Sequence, residues 1–519
     1  MNSNSLKSRL AFVLLGLTFA LSGCGSTRPA PASAKSASPP PASSRHARLP
    51  LSSCKIEGLE GEALCGSYPV WENRDTRTGR KISLKVVVLP ATEANVAPDP
   101  VFFFAGGPGD GSASHAADTG REYADLRRHR DLVMVDQRGT GGSNLLQCPV
   151  PGSEQDLQGY FEPMLQPEAV RKCREELEKK ADLKLYTTSI AMDDIDEVRA
   201  WLGYDKINLE GGSYGTRAAQ VYMRRHPEHV RSAALFGVAG MTQYLPLYHA
   251  PAGKRSLDLV VAACLADTAC QKAFPNLASE LAEVVARLGR EPANARISLE
   301  KGKPEVAIRI ERGVFAEELR FMLYQPGLTP LVPLVIHQAY QGDWRPFVRL
   351  SLVWEPLLRG ILAIGMHLSV TCAEDVPYFD RVNVQEILAG TYLGDYRSKQ
   401  QIEACREWVR GEIPADFHQP VSVRVPTLLV SGNFDPVTPP QWAEEAARHL
   451  PLSLQVLVPE GGHSLGGLTN PECIENLEQK FFEQGSVDGL DTSCVKTMKR
   501  RPFATDPAAI DEVLAALGG

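Results

Sequence analysis

The stretch "NLEGGSYGTRAAQVYMRRH", Asn208 to His226, decides the fold. A short strand-like run enters it, Gly211-Gly212-Ser213-Tyr214-Gly215 reads G-x-S-x-G, and a helix-forming run from Thr216 to His226 leaves it. Small residues around the serine allow a sharp turn from strand to helix, which lifts the hydroxyl clear of a sheet. The start of the following helix aims backbone N–H groups at developing negative charge. The motif alone is weak, because glycine-rich loops also contain idle serines. Its meaning depends on whether the chain supplies the partners a serine nucleophile needs.

Working outward, strand-like and helix-like runs alternate, as expected of an α/β architecture around a mainly parallel sheet. Ile82–Pro90, Val101–Gly109, Leu132–Ser143, Lys206–Gly215 and Val230–Val238 read as strands running into loops, several of them glycine-rich. Two more, Pro426–Asp435 and Leu452–His463, come much later. Near-continuous apolar strands of this kind belong in a sheet covered on both faces. Between them, Met241 to Pro420 has a helical texture. Leu277, Leu281, Val284, Val285 and Leu288 share one helical face, with Asn276 expected as N-cap and Gly289 as the residue past the end. Phe315–Tyr324 reads as another helix. The insert therefore reads as a cap set into an α/β core.

A serine hydroxyl needs a base to take its proton, and that base needs a carboxylate to fix its tautomer. Asp435 lies one loop after "TLLVSGNF", and His463 lies one loop after "LQVLVPEGG". Pro439–Leu450 supplies a helix between them. Ser, Asp, His is the chain order of the α/β-hydrolase arrangement, each residue at the carboxyl end of a strand. Asp136 also ends a strand but precedes the serine. The expected oxyanion donors are the N–H of Tyr214 and that of Gly107, in Gly106-Gly107-Pro108-Gly109.

The amino end carries different information. Lys7 and Arg9 precede an apolar run from Leu10 to Leu21, the length of a signal-peptide core and too short to span a bilayer. Leu21-Ser22-Gly23-Cys24 resembles a bacterial lipobox, so Cys24 is the expected acylation site, with Gly25 after it resembling the pattern sorted to the outer membrane. Thr27–Pro50 is rich in Pro, Ala and Ser and reads as a tether. The remaining ten cysteines fall in near-neighbour pairs, Cys54/Cys65, Cys148/Cys173, Cys264/Cys270, Cys372/Cys405 and Cys473/Cys494. Export to an oxidising compartment favours five local disulfides, although sequence alone leaves connectivity open. No zinc-type cysteine spacing is present, and no metal or cofactor is expected. The net charge of −7, without a basic stripe, speaks against nucleic acid as a partner.

"GGPGDG", "DQRGTGGS", "GGSYGT", "SGNFDPVTP" and "GGH" together resemble the α/β-hydrolase exopeptidases of the prolyl and tripeptidyl aminopeptidase group. The late "LDTSC" and the paired cysteines resemble its secreted tripeptidyl branch. The resemblance implies Ser213 as nucleophile, Asp435 as orienting acid and His463 as base. It also implies that acidic cap residues bind the free amino terminus of a peptide, and Glu374 and Asp375 in "VTCAEDVPY" are the candidates. Ala105 departs from the histidine that prolyl aminopeptidases usually carry before the oxyanion glycines, which weakens a prolyl specificity. Arg138 in "DQRG" is expected to brace the core through ion pairs.

The expected organisation is a leader over 1–23, a tether over 24–50, core over 51–240, cap over 241–420, and core with a C-terminal region over 421–519. The expected function is a membrane-anchored, exported serine hydrolase that cleaves peptides from their free amino terminus. An esterase using the same triad, or a non-catalytic binding lipoprotein on the same scaffold, are the alternatives. Nothing in the sequence fixes an oligomeric state.

Overall fold

The computed structural model describes residues 50–298 and 305–516. The expected leader, nearly all of the tether, and Cys24 lie outside the described residues.

Among the described residues, nine strands form one sheet in the order β1-β2-β3-β5-β4-β6-β7-β10-β11. β1 (Ser52–Cys54), β2 (Ala63–Trp71) and β3 (Lys81–Leu89) are antiparallel to their neighbours. β4 (Val101–Phe104), β5 (Leu132–Val135), β6 (Ile207–Gly212), β7 (Val230–Phe236), β10 (Thr427–Gly432) and β11 (Ser453–Val458) run parallel. Every run read as a strand from the sequence is one. β1 and β2 escaped that reading because β2 carries Gly66 and Pro69, residues that argue against a strand.

The solidly apolar strands still alternate in space. Phe102, Phe104, Val133, Val135 and Leu209 pack on one face, against α1 (Thr188–Trp201) and α2 (Tyr214–Arg225). Val101, Phe103, Leu132, Met134, Leu428 and Val430 pack on the other, under the helix Glu472–Gln484 with its Phe481 and Phe482. Each such side chain, fully buried, contributes about 1.5–3 kcal/mol, so two covered faces make the sheet the rigid part of the molecule. The strand order reverses at β4, which lies between β5 and β6. A crevice at the carboxyl ends of strands flanking such a reversal is where α/β sheets bind ligands. The loops after β4 and β6 are those carrying Gly107 and Ser213.

Between β7 and β10 the chain builds a largely helical insert with its own apolar core, around Leu257, Phe315, Leu319, Val335 and Phe347. Two features depart from expectation. An antiparallel pair, β8 (Ala293–Ile297) with β9 (Val306–Ile310), joins the insert. The helix expected to stop before Gly289 runs Leu277–Arg290, and Asn276 holds the N-cap position without a side-chain capping bond. Its apolar face is as read, with Leu277, Val284 and Leu288 buried. The C-terminal helix Ala508–Ala516 packs Ile510 and Leu514 into the insert's core.

Disulfides join Cys54–Cys65, Cys148–Cys173, Cys264–Cys270, Cys372–Cys405 and Cys473–Cys494. They fit an oxidising, extracytoplasmic compartment. No helix among the described residues is long and apolar enough to cross a membrane.

Candidate active site

Ser213 sits between β6 and α2 with φ 56° and ψ −124°. An L-residue avoids this region, at a cost of about 1–3 kcal/mol, so the surroundings must impose it. Ser213 N–H donates to Phe236 O at 3.0 Å, and its carbonyl accepts from Thr216 N–H at 2.9 Å and Thr216 Oγ1 at 2.6 Å. The motif glycines are needed for close approach. A Cβ at Gly215 would lie 2.0 Å from Phe104 O, and one at Gly211 would lie 2.7 Å from Gly215 O. Gly212 is different: a Cβ there would meet nothing within 4 Å.

His463 Nε2 lies 2.9 Å from Ser213 Oγ, and its Nδ1 lies 2.7 Å from Asp435 Oδ2. With Nδ1–H donated to the carboxylate, the Nε2 lone pair faces the serine hydroxyl. Asp435 is fully buried, and Oδ1 accepts from Val437 N–H at 2.7 Å and Thr438 N–H at 2.8 Å. Burial opposes its ionisation, yet His463 and the bonds from His463 and Thr438 hold its carboxyl below the usual range. The three residues expected from sequence are thus brought together from loops after β6, β10 and β11.

The loop after β4 closes one side. A Cβ at Gly106 would stand 3.2 Å from Ser213 Cβ, and Gly107 has φ 108°, which favours glycine. Gly107 and Tyr214 therefore flank Ser213 from two loops. Asp136 points elsewhere, tying Ala113 N–H (2.8 Å) to Gly142 N–H (2.7 Å). Arg138, fully buried, pairs with Asp194 at 2.6 Å.

Glu374 and Asp375, the expected amino-terminus ligands, have partners inside the protein. They occupy no exposed loop and both are fully buried, Glu374 ending a helix and Asp375 following it. Glu374 accepts from Thr188 N–H at 2.6 Å and Thr188 Oγ1 at 2.8 Å. Asp375 pairs with Arg217 Nη1 at 2.9 Å and accepts from Leu245 N–H at 2.9 Å. Breaking such a buried pair costs about 3–5 kcal/mol. Glu374 is engaged at both oxygens and Asp375 at Oδ1, while Asp375 Oδ2 is buried without a hydrogen-bond partner.

Two site residues were not read from the sequence. Thr438 Oγ1 donates to Asp435 Oδ2 at 2.7 Å and lies 3.0 Å from His463 Nδ1. Its signal was the threonine three residues after an aspartate, a spacing at which the carboxylate captures backbone and hydroxyl together. Tyr324 sets its ring edge-on to His463, centroids 5.0 Å apart; no local pattern marks it. Asp196 on α1 comes within ligand spacing of His226 and His229, just past the end of α2. Asp196 there already accepts from Arg199 Nε (2.7 Å) and Tyr222 OH (2.8 Å), with His229 Nδ1 at 2.7 Å, which makes it an ion-pair knot.

The sheet with its reversal, the strained serine turn and the aligned histidine define a serine hydrolase of the α/β-hydrolase fold. Residues 390–494, which include Asp435 and His463, match the family of TAP-like proteins. The chain is 23% identical over 485 residues to the serine protease Hip1 of Mycobacterium tuberculosis, covering 84% of this chain and 88% of that protein. It is 24% identical over 417 residues to the tripeptidyl aminopeptidase of Streptomyces coelicolor, covering 73% and 72%. Among solved structures, the proline iminopeptidase of Mycobacterium smegmatis aligns at a TM-score of 0.37 with 15% identity, covering 81% of this chain and 98% of that one.

Proposed function

We propose that this chain is an exported serine exopeptidase that removes residues from the free amino terminus of peptides. Ser213 Oγ attacks the scissile carbonyl while His463 Nε2 takes its proton, and Asp435 stabilises the imidazolium that forms. The tetrahedral oxyanion gathers against the N–H groups of Gly107 and Tyr214. His463 then protonates the leaving amine and activates the water that releases the acyl-enzyme. The observation that carries the reading is the continuous chain from Ser213 Oγ to His463 to Asp435, at 2.9 and 2.7 Å.

Peptides as substrates follow from the relatives, which are named for peptidase activity. For the amino terminus, with Glu374 bound at both oxygens and Asp375 paired with Arg217, the insert offers another acidic group. Glu317, Glu318 and Glu355 line a small cavity together with Phe321, Tyr396 and Arg397. Phe321 packs on Tyr324 at 5.3 Å and Tyr324 on His463 at 5.0 Å, so the cavity is two rings from the histidine. Arg320 takes Glu317 and Arg359 takes Glu355. Burial and the neighbouring Glu355 push the Glu318 carboxyl up, so its proton is held until an opposite charge such as an ammonium favours the carboxylate. The insert serves as the cap over the site, and Cys24 as a lipid anchor holds the body near the membrane.

Fluorogenic peptides with free and with acetylated amino termini, run beside a simple acetate ester, test the reading. Ser213-dependent cleavage confined to free amino termini supports it. Cleavage of the ester alone replaces it with an esterase.

A further inference from the structure

One helix of the insert reaches both sides of the proposed oxyanion site. α3 (Ile364–Glu374) has all eleven residues buried. At about 1.5 Å per residue it is a rod of roughly 16 Å. Just before it, Ala363 N–H donates to Gly109 O at 2.9 Å, and a Cβ on Gly107 would stand 3.1 Å from Leu362 Cδ2. Its start is therefore stitched to the loop that carries Gly107. At its other end Glu374 holds Thr188, whose Oγ1 lies 2.6 Å from Tyr214 OH. Asp375 holds Arg217 one turn further along α2.

The rod is also clamped along its length to α4 (Tyr396–Glu407). Cys372 and Cys405 join the two helices covalently. His367 Nε2 lies 3.2 Å from Gln401 Oε1, Gln401 Nε2 donates to Thr371 Oγ1 at 2.8 Å, and Thr371 Oγ1 donates to His367 O at 2.7 Å. The His367 ring also lies against the Pro108 carbonyl of the oxyanion loop. Polar groups along the rod thus tie it to α4, to the Gly107 loop and, through Glu374, to Thr188 of α1.

We infer that α3 is a strut that sets the spacing of the two oxyanion donors, with Glu374 as the positioning residue acting through Thr188 on Tyr214. Gly107 follows β4 and Tyr214 opens α2 after β6, and each is tied to a different end of α3. A donor must stand about 2.7–3.1 Å from the oxyanion, so small shifts between the loops matter. Glu374 touches no reacting atom in this scheme. It fixes Thr188 by two bonds, Thr188 orients the Tyr214 ring, and the ring anchors the residue whose N–H is the donor. The inference rests on the reading of Ser213 as nucleophile.

The test uses the full chain and the acetate ester, so it does not depend on peptide specificity. Glu374→Gln keeps an acceptor for Thr188 N–H and a donor toward Thr188 Oγ1, and should retain kcat within about twofold. Thr188→Val keeps the shape and the backbone bond but cuts the link to Tyr214. It should lower kcat about tenfold, short of the 10²–10³ seen when a donor is lost outright, with KM unchanged. Glu374→Ala should follow Thr188→Val. A melting temperature for each variant separates repositioning from unfolding, and Thr188→Val carries the test if Glu374→Ala does not fold. Thr188→Val at wild-type kcat overturns the inference, as does a rise in KM for peptides with a free amino terminus at constant ester kcat in the Glu374 variants, which would put the carboxyl on substrate. If Ser213→Ala retains ester hydrolysis, the nucleophile assignment fails instead, a separate result.

Discussion

Thr438 Oγ1 donates to Asp435 Oδ2 at 2.7 Å, the same carboxylate oxygen that faces His463 Nδ1. The hydroxyl therefore shares the work of holding a buried charge in place while His463 swings between neutral and protonated forms. Thr438→Val removes that donor without changing the bulk of the side chain. The carboxylate loses one hydrogen bond to a charged group, worth about 1.5–3 kcal/mol, and part of that loss falls on the transition state. The variant should lower kcat by roughly five- to twentyfold with KM little changed, at 1.36 kcal/mol per decade. Steady-state kinetics on the ester checks it.

The acidic cavity of the insert makes a separable prediction. Glu318→Gln removes an ionisable carboxyl from a site two aromatic rings from His463. KM for peptides with a free amino terminus should rise about tenfold, and ester hydrolysis should be unaffected. Glu374→Gln should leave the same KM alone, because that carboxyl is spent on Thr188.

Stability should depend on pH in a direction fixed by buried carboxyls. Burial pushes Glu374 up to about 8, and burial also pushes Glu478 up against the neighbouring glutamates, although Tyr123 OH donates to it at 2.7 Å. A carboxyl raised in the folded state binds its proton more tightly there than in the unfolded chain. Its contribution is full below the ordinary range, about 4–5, and is lost as pH rises through about 8. Asp193 and Asp196 work oppositely. Burial raises them, but His226 and Arg225 on one, and Arg199 and Tyr222 on the other, hold them down at about 2. Their contribution is present above the ordinary carboxylate range and lost as pH falls toward 2. Melting temperature should therefore peak in mild acid and decline toward pH 8. Glu478→Gln should flatten the alkaline decline; an unchanged slope would contradict the assignment.

The Cys473–Cys494 disulfide closes a loop over a sequence separation of 21 residues and pins the helix whose Phe481 and Phe482 cover one sheet face. Replacing both cysteines by alanine should cost about 3 kcal/mol of stability, the chain-entropy value for a loop of that order. The melting temperature should fall while kcat at 25 °C stays as it was, since the bridge lies outside the catalytic loops.

The parallel strands, and the meeting of Ser213, Asp435 and His463, were legible in the sequence because their signals are local. Apolar runs ending in glycine-rich loops mark β4, β5 and β6, and Asp435 and His463 each follow such a run. What was not legible depends on contacts between distant segments. "IGMHLSVTCAE" is apolar all round with no polar stripe, so nothing announces it as a helix packed on every side. The burial of Glu374 and Asp375 at its end left no local signal, because their partners Thr188 and Arg217 lie more than 150 residues earlier. Gly289 misled for a related reason: a helix pinned by Leu277, Val284 and Leu288 tolerates one interior glycine at about 1 kcal/mol. Tyr324 reaches His463 only through the folding of the insert back over the sheet.

The central claim is that Ser213 is the nucleophile and that His463 activates it. Incubation of the full chain with a fluorophosphonate, followed by peptide mass spectrometry, tests it most directly. One adduct on Ser213, absent in Ser213→Ala and formed far more slowly in His463→Ala, is the expected result, with ester hydrolysis lost in step by several powers of ten, on the order of 10⁶ in the subtilisin case. An unlabelled Ser213 in a chain that still hydrolyses the ester would contradict it.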